Sequence, residues 1–274
     1  RRTGVTLVEV DPAGERRFFG FRENSADLSL GPQDLDTPTA RRALQRAAVV
    51  HTGTVSLRSP SARRATRALQ RAARRQGSVV SLDVNLRPGM FPSLAGLIAL
   101  ARAAVGLADV VKATREEAEQ ILGVAPLTGR RTASRRRAHD DGLVDGLLAM
   151  GPRLVALTLA DEGAVVAHAR ARAAVAAPPT TVVDATGAGD GFVGAVLAEL
   201  VVAGVGRDRL DALTGGELAA LGAAGCRAGA AVVTALGATT AMLRGAPVGA
   251  CLAAGASSSS LPSRPARGRA RGRG

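Results

Sequence analysis

Short apolar runs alternate along this chain with longer amphipathic stretches, and no other feature constrains its fold as tightly. AVVHTG, SVVSLDVN and DVVKA read as buried strands, and RLVALTLADEGAVVAHA reads as a strand, a turn and a second strand. Between and around them TPTARRALQRA, SARRATRALQRAARRQG, SLAGLIALARAAVGLA and TREEAEQILG read as helices, as do residues 135–150 and GGELAALGAAGCRAGAAVVTALG. This alternation predicts an α/β fold: a doubly wound, mostly parallel sheet with helices on both faces. Ahead of it, GVTLVEV and RRFFGF flank the turn signal DPAGE and predict a small β-hairpin over about residues 3–22. In an open parallel sheet, ligands sit beyond the carboxyl ends of the strands. The polar clusters HTG, DVNLR, KATREE and DATGAGD fall there.

Composition narrows the partners. Net charge is +13, and Lys112 is the only lysine among 36 basic residues. Five arginines lie in the terminal SRPARGRARGRG, so the remainder still carries +8. With no Trp, no Tyr and five Phe there is little on which to stack bases, which argues against nucleic acid as the main partner. No apolar run reaches the length of a membrane span, and RRTGVTLVEV lacks the core of a signal peptide. Cys226 and Cys251 show no CxxC spacing and fit a reduced, cytoplasmic setting. His51, His139 and His168 are isolated, which argues against structural zinc. Residues 251–274 are rich in Ser, Arg and Gly and are predicted to be disordered, leaving residues 1–250 as the domain.

The stretch TVVDATGAGDGFVGAVLAEL carries the chemistry. It lacks the Lys of a Walker A loop, and its formal GxGxxG would place Asp190 inside a pyrophosphate cradle. A helix starting near residues 188–190 instead offers free N–H groups and the positive end of its dipole to an anion. Phosphoryl transfer needs such donors for the migrating group and a base for the acceptor hydroxyl. Asp190 beside that helix terminus supplies both needs in one loop, although a cap and a tight turn would use the same residues.

DATGAGDGF resembles the DTxGAGDxF signature of the ribokinase-like (PfkB-type) sugar kinases. SLDVNLRPGMF resembles a segment of the fructokinase and 2-keto-3-deoxygluconate kinase branches. DVVKATREEAEQILG resembles the segment with their N-x-x-E motif, VALTLADEGA the T-x-G-x-x-G loop near the nucleotide, and the first residues the lid hairpin over the sugar. The similarity covers about residues 1–246. It implies a ribokinase-like fold and ATP-dependent transfer of a γ-phosphoryl group to a sugar hydroxyl of fructose-like or keto-sugar type. ATP, Mg²⁺ and in some cases a monovalent cation (K⁺) would take part. Asp190 is then the catalytic base, with Gly187, Ala188 and Gly189 as the anion hole. Arg22, Asp83, Asn85 and Arg87 fall at substrate positions, and Thr158, Gly163 and Cys226 at nucleotide positions. Glu117 manages the metal, with Thr114 acting through water; TREE is equally an ordinary capping box.

Several positions depart from the pattern. Ala160 replaces the first Gly of T-x-G-x-x-G, Cys226 an adenine-contacting Asn, Thr114 the Asn of N-x-x-E, and Ala185 the usual Thr. The first strand of the family, with its sugar-binding Asp, and the GGxxxN segment have no counterpart here, so the domain is expected to be N-terminally incomplete. Two further readings therefore stay open: a catalytically incompetent remnant of a sugar kinase, and a nucleic-acid binder acting through the Arg-rich tail. The hairpin could supply a homodimer surface.

Overall fold

The computed structural model describes residues 1–10, 16–22, 25–129 and 132–242. The hairpin turn DPAGE and the tail 251–274 lie outside the described residues. Strands β1 (Val5–Val10) and β2 (Arg16–Phe21) pair antiparallel, as their alternation predicts. Helix α1 (Pro38–Arg46) follows, with the Thr37 hydroxyl accepting the Ala40 N–H as its N-cap.

The main sheet has six strands in the order β3 (Val49–Gly53), β4 (Val79–Asp83), β5 (Val110–Thr114), β6 (Leu154–Thr158), β7 (Ala164–His168) and β8 (Ala171–Val175). The first four are parallel, and β7 and β8 are antiparallel additions. The parallel strands are joined through α2 (Pro60–Arg75), α3 (Leu94–Val105), and α4 (Arg115–Leu122) with α5 (Ala133–Ala149). Sequential strand order with crossovers of one hand puts these connecting helices on one face. Leu97, Ala101, Ile121, Leu143 and Leu147 accordingly pack on Leu82, Val111, Val155 and Leu157. Helices α6 (Ala188–Val202) and α7 (Gly215–Val232) cover the other face, with Phe192, Val196, Leu200 and Leu221 against Val110, Leu154, Ala156 and Val166. The alternation of Val110 and Val111 between two cores is the two-residue period of a strand buried on both sides.

One element escapes the sequence pattern. Strand β8 follows β7 after only Ala169 and Arg170, without the Gly or Asn that marks a tight hairpin. The buried ring of His168 supplies the missing turn chemistry: Nδ1 accepts the Arg170 N–H at 3.2 Å and Nε2 donates to the Leu213 carbonyl at 2.8 Å.

Among the described residues no helix is long and apolar enough to cross a membrane.

Candidate active site

The carboxyl ends of β4, β5 and β6 and the N-terminus of α6 meet on the α6 side of the sheet. Gly187 is the N-cap of α6, with φ +86. A Cβ there would lie 2.7 Å from the Ala238 carbonyl oxygen, so both the backbone twist and the close approach demand glycine. Asp184 holds the loop from below: Oδ1 accepts the Thr186 N–H and Oδ2 the Gly237 N–H, each at 2.8 Å. Because the N-cap has no side chain, the first amides of α6 are left for another acceptor. Those of Gly187, Gly189 and Asp190 meet none among the described residues, whereas that of Ala188 turns back to the Ala185 carbonyl at 3.3 Å. Asp190 is exposed in this first turn and has no ion pair or hydrogen bond among the described residues.

Glu117 lies at the next strand end. Its Oε1 accepts the Leu86 N–H and its Oε2 the Thr114 N–H, both at 2.9 Å, while the Thr114 hydroxyl accepts the Glu117 N–H at 3.2 Å. The capping box is therefore real, and it also ties the loop after β4 to the start of α4. Burial raises the Glu117 carboxyl above its ordinary range, against the pull of Lys112 and the two amides. Among the described residues no group of three His, Cys, Asp or Glu forms a metal cage.

Of the residues in DVNLR, Asp83 is buried on the crevice floor and faces the ammonium of Lys112 at 3.2 Å. Burial pushes its carboxyl upward, and Lys112 pulls it down. Asn85 takes a left-handed backbone, φ +36, a conformation that Asn tolerates better than most residues. Arg87 is exposed, with Nη1 on its neighbour's carbonyl at 2.9 Å. Arg22 pairs with Asp27 at 3.0 Å at the base of the hairpin.

On the nucleotide side, the Thr158 hydroxyl reaches the Ala113 carbonyl at 3.4 Å. Gly163 has φ +107, and a Cβ there would run into the Val175 carbonyl. Ala160, in the place of a glycine, keeps the glycine-like backbone with φ +52. Arg115 fixes this turn by bonding Glu162 at 2.9 Å while it grips Asp140 at 2.7 and 3.0 Å. Cys226, on α7, is buried in the core it shares with α6 and the sheet, and burial raises its thiol.

Sequence reasoning passed over Lys112, Asp184 and His51. A lone lysine inside the apolar strand DVVKA was the available signal for the first. His51 lines, with Asp190, Val193 and Leu197, an open groove of about 720 Å³ beside α6. Its Nδ1 lies 3.0 Å from the Ser81 hydroxyl.

A parallel sheet whose strand ends carry a helix terminus with open amides and a free carboxylate defines a site suited to phosphoryl transfer. Comparison with known proteins makes the class specific. The chain belongs to the pfkB family of carbohydrate kinases, whose model matches residues 1–244. It is 32% identical over 200 residues to fructokinase-1 of Oryza sativa subsp. japonica, covering 73% of this chain and 57% of that protein. The chain thus spans little more than half the length of this curated relative. Fructokinase from Vibrio cholerae O395, solved with fructose, ADP and calcium ion, superposes with a TM-score of 0.71 at 29% identity. That match covers 88% of this chain and 70% of the other. A double mutant of the same enzyme, with fructose, ADP and potassium ion, gives 0.71 at 28% identity, covering 88% and 69%.

Proposed function

We propose that the chain transfers the γ-phosphoryl group of Mg·ATP to a hydroxyl of a ketose such as fructose. The observation that carries this reading is Asp190, without an ion pair or hydrogen bond among the described residues, in the first turn of a helix where the Gly187, Gly189 and Asp190 amides meet no acceptor among them. Asp190 takes the proton of the sugar hydroxyl as the sugar oxygen bonds to the γ-phosphorus. The bond from that phosphorus to the β,γ-bridging oxygen breaks, and ADP leaves with its electron pair. The amides of Gly187, Gly189 and Asp190 receive the charge on the migrating group. The loops at Thr158 and Gly163 would border the nucleotide, and Arg22, Asp83, Asn85 and Arg87 would serve the sugar.

Mg²⁺ would neutralise the nucleotide phosphates. Both Glu117 oxygens already hold amides, yet each keeps a lone pair, so Glu117 and Thr114 fit a metal gripped through water and carried by the phosphates. The potassium in the Vibrio cholerae double mutant supports a monovalent ion as a further participant.

The test is ADP release with Mg·ATP and a panel of fructose, ribose, 2-keto-3-deoxygluconate and a nucleoside. Fructose-dependent ADP is expected, and Asp190→Asn should lower kcat by about 10²–10⁴-fold while keeping the fold. A variant that retains more than about a tenth of the rate removes Asp190 as the base. No ADP with any sugar from a folded chain favours the non-catalytic reading.

A further inference from the structure

We infer that Lys112 is a working part of the anion hole, its ammonium set under the first turn of α6 and held there by Asp83. The inference rests on the proposed phosphoryl transfer and assigns that reaction one more charged group. Lys112 is 4% exposed and stands in β5 among Val110, Val111 and Ala113, all buried. Its side chain points to the α6 face, on the same side as Val110. A Cβ at Gly189 would come within 2.9 Å of Nζ, so the ammonium lies against the α-carbon of a residue whose amide is open.

Burying a lysine is costly, and chains keep the charge only where it is paired or used. The pairing here is incomplete. Asp83 is the sole ion-pair partner among the described residues, at 3.2 and 3.4 Å, and only the longer contact is a hydrogen bond. An ammonium has three donors, so two are left over. Asp83 Oδ1 is likewise buried without a hydrogen-bond donor. A pair meant only to stabilise the fold would close these valences. The pair also has a direction: Lys112 is the member that touches α6, so its positive end faces the helix terminus. An anion arriving at the Gly189 amide meets the helix dipole and this charge together. A side chain at Gly189 would push the ammonium aside.

Lys112→Met and the double variant Asp83→Asn/Lys112→Met separate this role from a structural one. Removing one partner of a buried pair destabilises, whereas removing both charges relieves the penalty. Lys112→Met should lower both Tm and kcat, the latter about 100-fold, with the KM values for ATP and fructose within about threefold. The double variant should regain most of the Tm and none of the kcat. Recovery of rate together with stability, or a kcat within about threefold of wild type in Lys112→Met, overturns the inference. If Lys112→Met does not fold, the double variant is compared with Asp83→Asn, which loses the same carboxylate but keeps the ammonium, and a double-variant kcat no lower than that of Asp83→Asn overturns the inference. If the wild type turns over no sugar, the proposed reaction fails separately. Tungstate binding by calorimetry then decides: about tenfold weaker binding by the double variant supports Lys112, and equal binding overturns it.

Discussion

Glu117 shows how one residue serves two ends. Its carboxylate joins two amides from different loops, and glutamine could accept from only one of them while setting an N–H₂ group against the other. Glu117→Gln should therefore cost about 1–3 kcal/mol in denaturant unfolding, the usual penalty of an orphaned buried donor. The pH dependence has a definite sign. The folded-state value is raised above 4.5, so between 4.5 and that raised value the folded chain holds a proton that the unfolded chain has released. Stability from this group is fullest at the acid end of that window and falls as pH rises through it. Comparing wild type with Glu117→Gln across mildly acidic pH should show a steeper fall in the wild type; parallel curves would refute the assignment.

At the scale of elements, the turn between β6 and β7 is built on two residues with positive φ, only one of which is glycine. Gly163 admits no side chain, because a Cβ would strike the backbone of β8. Ala160 could accept glycine with profit: an L-residue in the left-handed region carries about 1–2 kcal/mol of strain, against which the extra freedom of an unfolded glycine costs about 0.4–1 kcal/mol. Ala160→Gly should raise stability by about 0.5–1 kcal/mol, and Gly163→Ala should lower it by more than about 2 kcal/mol. Thermal unfolding of both variants checks the pair. A destabilised Ala160→Gly would mean that the alanine methyl packs to an advantage exceeding the strain.

For the whole molecule, the hairpin presents an exposed apolar face. Cross-strand register places Val5 opposite Phe21 and Leu7 opposite Phe19, and all four are about half exposed or more. A two-stranded sheet is marginal alone, and a contiguous apolar face of this kind marks an interface. We propose that it pairs with the same face of a second copy. Sedimentation velocity should find a dimer that Leu7→Glu/Phe19→Glu converts to monomer. A wild type that stays monomeric at high micromolar concentration, or a double variant that still dimerises, would reject the idea.

The sequence by itself determined the strand–helix alternation, the hairpin, the capping box of TREE and the glycine-flanked Asp190, because each depends on residues within about one turn or one strand of each other. Gly187, Asp190, Thr114 and Glu117 were legible for that reason. Tertiary structure decided the rest. Strand β8 was hidden because its turn is fastened by His168 and the distant Leu213, not by a local turn residue. The burial of Cys226, on α7, in the core shared with α6 and the sheet was likewise settled by packing. Lys112, Asp83 and Gly189 read as three unrelated residues until two parallel strands and the helix over them were brought together. Chain proximity fixes backbone geometry, but the desolvation that makes a lysine and a carboxylate depend on each other arises only when distant segments exclude water between them.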